Sequence, residues 1–260
     1  MTGPLSDRSS PREREDELWT RLRSLTTARI GLSRSGASLA TRPLLDFKLA
    51  HGRARDAVLE PLDEAGLAAD LRGLRDPILA VASAAEDRRR YLMRPDLGRR
   101  LAPNAEAVLW PYAGRPDVVF VITDGLSARA VAMHARPVLS RTIELMRAEA
   151  WQIAPLVIVR HGRVAVGDAV ASALRAACVA ILIGERPGLS AADSMGVYLT
   201  WQPHARTTDA QRNCISNIRP DGTGYADAAF KIAYLLSAMR GRQISGVELK
   251  DDSDRLLIGP

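Results

Sequence analysis

The sequence predicts an α/β fold built on a mainly parallel sheet, and three observations carry that prediction. Residues 118–122 and 179–183 are short apolar runs bounded by turn residues, which suits strands covered on both faces. From Pro103 onward such runs alternate with helix-periodic segments, the pattern of parallel strands joined by helices. Beyond Ile183 the chain changes character within one residue. Gly184 permits a turn or a close approach, Glu185 and Arg186 bring opposite charges to the strand's carboxyl end, and Pro187 with Gly188 shapes the loop that follows. In open α/β sheets that edge is where ligands bind.

Composition excludes several classes. At 260 residues and 47% hydrophobic content, the chain has ample material for a core. The net charge of +6 arises from 36 basic residues, of which only Lys48, Lys231 and Lys250 are lysines, interspersed with 30 acids. There is no long basic tract and aromatics are 5%, so no nucleic-acid partner is expected. Cys178 and Cys214 stand apart, with no Cys-x-x-Cys or histidine at ligand spacing, which speaks against a disulfide framework or a zinc site. Residues 1–20 lack an apolar run and no segment is long and apolar enough for a membrane span, so the expected location is cytoplasmic.

Along the chain, residues 1–16 alternate charge without apolar periodicity and read as a mobile tail. Residues 26–39, rich in Gly and Ser with scattered apolar positions, read as an extended arm that docks on something else. Leu44, Phe47, His51, Ala54 and Val58 share one helical face after Pro43, and His51 there reads as an interior or interface histidine rather than a ligand. Two further amphipathic helices are expected at 63–75 and 77–90, completing a small helical domain. The six arginines of residues 88–100 surround Pro95, Asp96 and Gly98, which points to a shaped loop. The expected divisions are thus a tail and docking arm at 1–40, a helical domain at 41–102 and a sheet domain at 103–260.

Within the sheet domain, residues 126–150 read as a helix that Pro137 either kinks or divides. A strand at 156–159 follows, then a short return strand at 163–166, a helix at 167–178, a strand at 196–201 and a helix at 227–240. Residues 212–222 read as a long, turn-rich polar segment, dense with donors and able to close over the same sheet edge. Three polar strand ends emerge: Thr123-Asp124-Gly125, Arg160-His161-Gly162 with Val164, and Gly184-Glu185-Arg186. In a doubly wound sheet they converge on one crevice. No Gly-x-Gly-x-x-Gly follows a strand, no P-loop occurs, and Ser127 lacks the flanks of a nucleophile elbow. Asp124, His161 and Glu185 form a conceivable acid–base set, but such groups equally serve as caps and ion pairs. From the residues alone the chain is an α/β module with a ligand crevice, and a stand-alone module for a nucleotide-like small molecule fits that description.

The polar segments, in order, resemble the light chain of ethanolamine ammonia-lyase. The matching pieces are Ala-Arg-Ile-Gly at 28–31, Arg-Ser-Gly at 34–36, Thr41-Arg42 with Leu44-Leu45, Arg-Pro-Asp-Leu-Gly-Arg-Arg at 94–100, Asp-Gly-Leu-Ser at 124–127 and Arg160 with Gly-Arg-Val at 162–164. Gly-Glu-Arg-Pro-Gly-Leu at 184–189, Cys-Ile-Ser-Asn at 214–217 and Ser-Gly-Val at 245–247 complete the series. Each is weak alone; their shared order is specific.

The resemblance implies a Rossmann-like sheet domain in a hetero-oligomeric lyase that converts ethanolamine to acetaldehyde and ammonia with adenosylcobalamin. The heavy chain would hold the substrate, and this chain, inactive alone, would cover the cofactor at the subunit interface. Cobalamin would carry the radical chemistry while the protein supplies orientation and excludes water. The family's light-chain cofactor contacts fall on Val164, Glu185 and Cys214, and no catalytic or metal-ligating residue is expected on this chain. Glu185 would accept hydrogen bonds from cofactor amides, Val164 would offer apolar or backbone contact, and Cys214 would pack against the corrin periphery or tail. The Asp-x-His-x-x-Gly pattern that supplies a cobalt-binding histidine elsewhere does not occur, so His51, His134, His161 and His204 are not expected as ligands. Members that enter bacterial microcompartments carry a longer amphipathic extension than residues 1–16, so encapsulation stands open beside a free cytoplasmic location.

Overall fold

A computed structural model describes residues 11–253. Its centre is a six-stranded sheet in the order β3-β5-β4-β6-β7-β8, formed by β3 (Ile78–Ala82), β4 (Val118–Thr123), β5 (Leu156–Arg160), β6 (Cys178–Gly184), β7 (Met195–Trp201) and β8 (Asn213–Ile218). The pairings from β3 through β5 and β4 to β6 are parallel, whereas β7 and β8 are added antiparallel, so the sheet is mixed. β4 and β6 are buried along their whole length, which is why their sequences are unbroken apolar runs.

Alternate residues of the central strands feed two apolar layers. Val118, Phe120 and Ile122 of β4 face a core shared with α6 (Ala128–Met146), α8 (Tyr225–Arg242) and α3 (Glu64–Leu71). Val119 and Val121 face a smaller core shared with α5 (Ala105–Leu109) and α7 (Val166–Leu174). α6 begins where the Ser127 side chain accepts from the Ala130 N–H, a helix cap. It then runs unbroken through Pro137, because its stripe of buried residues from Ala130 to Met146 anchors the turns on both sides. That packing outweighs the local cost of proline.

Several local expectations are corrected. Residues 77–90 are not one helix: Ile-Leu-Ala-Val-Ala at 78–82 pairs with β5 as an edge strand, and only Arg88–Met93 is helical, as α4. The sheet therefore begins well before Pro103. Residues 163–166 do not return as a strand; they turn directly into α7, with the Val166 N–H donating to Arg163 O at 2.8 Å. Nor are residues 212–222 a loop throughout, since β8 occupies Asn213–Ile218 and pairs Cys214 with Tyr198.

The chain divides into two compact units. One comprises Arg55–Pro187 and the chain from Ala191 on, with the sheet; the other runs to Ala54 and includes Gly188–Ser190. In the second unit, α1 (Pro11–Ser24) occupies part of the stretch expected as a mobile tail; residues 1–10 lie outside the described residues. Its Trp19 ring sits where a side chain on Gly31 would have to go, at a positive φ of 55°, so glycine is required there on both grounds. Arg23 donates to Ile30 O and Gly31 O, which holds the arm to α1. A two-residue hairpin, β1 (Arg34–Ser35) and β2 (Ser38–Leu39), leads into α2 (Thr41–Leu59).

Candidate functional site

The ends of the parallel strands do converge, but they close on one another. The Gly125 and Gly184 backbones meet so tightly that a Cβ on Gly125 would lie 2.3 Å from Gly184 O. The Leu126 N–H donates to Gly184 O at 2.9 Å. Asp124, 1% exposed, sits beneath. Its Oδ2 pairs with Arg88 Nη1 at 2.9 Å and its Oδ1 accepts the His161 N–H at 2.7 Å. Burial pushes the Asp124 carboxyl up, opposed by the Arg88 charge and then by His161. The expected crevice at β4 and β6 is thus an interior polar network. It is no acid–base dyad either: Asp124 holds the backbone of His161, whose ring Nδ1 faces Ala85 O at 3.3 Å.

An accessible polar group lies farther along the sheet, where β7 and β8 extend it. α8 packs on these two strands from one side. On the other side Tyr198 is half-buried, and Cys214 and Ser216 are exposed. Glu185, at the exit of β6, folds back over this side. Its carboxylate accepts the Asn217 N–H at 3.1 and 3.2 Å. A Cβ on Gly196 would come within 3.0 Å of Glu185 Oε1, so the absent side chain lets the carboxylate lie on the strand. Tyr198 stands directly across from Cys214 in the β7–β8 register. Burial pushes the Tyr198 phenol up to about 12, with Cys214 and Glu185 adding to the shift. Burial also raises the Cys214 thiol, which disfavours its thiolate form.

Of the three residues singled out from sequence, Glu185 and Cys214 meet around Tyr198. Val164 lies in the turn before α7 and packs, like Tyr198, against the smaller apolar layer. Tyr198 and Asn217 were missed. A polar aromatic at every-second-residue spacing within the apolar run of 195–201 was the available signal for Tyr198; nothing local marked the Asn217 amide. Nearby, Arg212 and Asp168 form a buried bidentate pair at 2.7 and 2.6 Å, which ties the start of β8 to α7. A separate cleft of about 540 Å³ opens at the opposite, amino edge of the sheet, between Arg75, Tyr112, Trp151 and Ile153. Among the described residues no group of His, Cys, Asp and Glu could hold a metal ion, and no helix is long and apolar enough to cross a membrane.

Comparison with known proteins converges on one family. The family described as ethanolamine ammonia-lyase light chain matches residues 16–250. The chain is 50% identical over 239 residues to an ethanolamine ammonia-lyase small subunit of Pseudomonas fluorescens, covering 90% of this chain and 87% of that one. It is 51% identical over 240 residues to the small subunit of Ralstonia nicotianae, covering 91% and 89%. Against the small subunit of Xanthomonas campestris pv. campestris the figures are 49% over 257 residues, with 96% and 94% covered. The matched region takes in the sheet, the Glu185–Tyr198–Cys214 group and Val164, and the chain belongs to the ethanolamine ammonia-lyase light-chain family.

Proposed function

We propose that this chain works with a heavy chain as the light chain of adenosylcobalamin-dependent ethanolamine ammonia-lyase, and that it covers the cofactor with Val164, Glu185 and Cys214. The observation that carries this reading is the accessible side of β7 and β8, where Glu185, Tyr198 and Cys214 stand together instead of being covered by a helix. The donor set fits a large ligand rimmed with amides. Glu185 uses part of its acceptor capacity on Asn217 and retains lone pairs for amide N–H donors. Cys214 adds a small uncharged contact, and Val164 an apolar one. The parallel strands with helices on both faces support the Rossmann-like description of this domain.

When bound, the cofactor supplies the radical chemistry of the lyase reaction. This chain's residues bind and orient it and exclude water from its surface, and the groups that touch ethanolamine belong to the heavy chain. The arm and α2 are the elements proposed to dock on that partner, since apolar residues such as Leu45 and Leu49 stand exposed. The complex would work in the cytoplasm, whether free or inside a microcompartment.

The deciding experiment is cobalamin titration and ethanolamine turnover with this chain alone, the heavy chain alone and the two co-expressed. Tight binding and activity only in the co-expressed pair are expected. Full turnover by this chain alone, or tight nucleotide binding without a partner, would replace this reading with that of a stand-alone module. Within the complex, Glu185→Ala should weaken cobalamin retention about tenfold, the size of one good polar contact. Its folded circular dichroism spectrum should not change.

A further inference from the structure

The turn that leads to Val164 is held from outside itself at residues 161, 162 and 163. The His161 N–H donates to Asp124 at 2.7 Å, and the Gly162 N–H to Thr123 Oγ1 at 2.9 Å. The Arg163 N–H donates to Gly98 O at 2.7 Å. The carbonyls are held too: Ser83 Oγ donates to His161 O at 2.7 Å and the Tyr91 hydroxyl to Gly162 O at 3.3 Å. The Arg163 guanidinium lies over the Tyr91 ring, 4.2 Å from its centroid, and Nη2 donates to Tyr91 O at 3.3 Å. His161 itself has a φ of 57°, a left-handed conformation that a histidine adopts only when its surroundings enforce it.

The enforcing elements are the end of β4 and the arginine-rich segment 88–100, to which the functional reading gave no task. Arg88 links them. Its Nε donates to Val58 O at 2.7 Å, and Nη1 reaches both Asp124 and Gly125 O. Gly98 fits beneath the turn so closely that a Cβ there would lie 2.8 Å from Arg163 Cγ and 3.1 Å from His161 O.

We infer that Arg88, Asp124 and Tyr91 are positioning residues that set the conformation of residues 161–164 and, through Val164, the affinity for cobalamin. Asp124 and Tyr91 are buried and Arg88 is largely so, which leaves them to act through the turn. The inference rests on the cobalamin reading of Val164 and adds to it a role for the segment that carries Arg88, Tyr91 and Gly98.

The test uses the assembled complex with its heavy chain and two measurements: amide hydrogen exchange across residues 161–166 without cofactor, and equilibrium binding of adenosylcobalamin. Asp124→Asn keeps an acceptor for the His161 N–H but loses the charge facing Arg88. It should speed exchange of the 161–163 amides and weaken cobalamin binding about tenfold. The loss should fall on the cofactor concentration for half-maximal rate rather than on kcat at saturation. Arg88→Ala should weaken binding likewise, and Arg88→Lys, which keeps the charge facing Asp124, should lose less than Arg88→Ala. If Asp124→Asn fails to assemble, Tyr91→Phe and Gly98→Ala carry the same expectation. Faster exchange with unchanged cobalamin affinity in any assembled variant would overturn the inference while leaving the cofactor reading intact. A Val164→Asp complex that binds cobalamin as tightly as the unaltered one would instead remove the cofactor reading.

Discussion

β4 and β8 belong to one sheet and do opposite work. Every residue of β4 is buried, with side chains entering an apolar layer on each face. In β8 only Asn213, Ile215 and Ile218 are buried, while Cys214, Ser216 and Asn217 are exposed. The central strand is committed to stability on both faces. The edge strand packs one face on α8 and leaves the other exposed, so it contributes less to the fold. That division explains why the candidate contact group gathers at the antiparallel extension while the parallel strand ends are closed over.

The largest effect should come from the central strand. Phe120→Ala, at a fully buried position, should cost about 3–5 kcal/mol in a chemical denaturation series. Ser216→Ala on the exposed side of β8 should stay within about 0.5 kcal/mol. Equal losses at the two sites would dissolve the contrast between the strands.

Next in size is the ion pair at the root of β8. Asp168→Ala leaves Arg212 buried without its bidentate partner and should destabilise by about 3 kcal/mol. Replacing both residues with apolar ones of similar volume should recover much of that loss. A double variant no better than the single one would mean the charges themselves are needed to order β8.

A smaller effect should appear with pH on the α8 side. His134 joins α6 to Tyr225 Oη and to Asp193 O at 2.9 and 2.8 Å, and burial holds its pKa below the ordinary histidine value of 6.5. The unfolded chain therefore takes up the proton first as pH falls, so stability should decline below about pH 6.5. His134→Gln should flatten that part of the profile, and an unchanged slope would assign the acid sensitivity elsewhere. The smallest effect is expected at Cys214→Ser, whose side chain stands exposed: within about 0.5 kcal/mol on stability. A large loss there would make Cys214 part of the core rather than of the contact face.

Legibility follows the same division. β4 and β6 were plain as apolar runs because burial on both faces leaves no room for polar residues. α6 and α8 were plain because one face of each meets the core, so apolar residues recur at helical spacing. β3 was misread because Ile-Leu-Ala-Val-Ala suits either a helix or a strand, and only the free edge of β5 selects pairing. β8 was misread because its polar residues are those of a surface, and its partner β7 supplies the order. α1, charged along its length, has no apolar stripe to announce it.

The sequence by itself determined the α/β class and the family to which the chain belongs. Each of these depends on residue types at short spacing. Tertiary structure alone decided that Asp124 would be buried against Arg88, 36 residues earlier, and that Glu185 would accept a backbone N–H from Asn217, 32 residues later. It also decided that Tyr198 would stand between Glu185 and Cys214. Those contacts depend on which strands become neighbours, and strand order comes from packing whole layers rather than from any local stretch of chain.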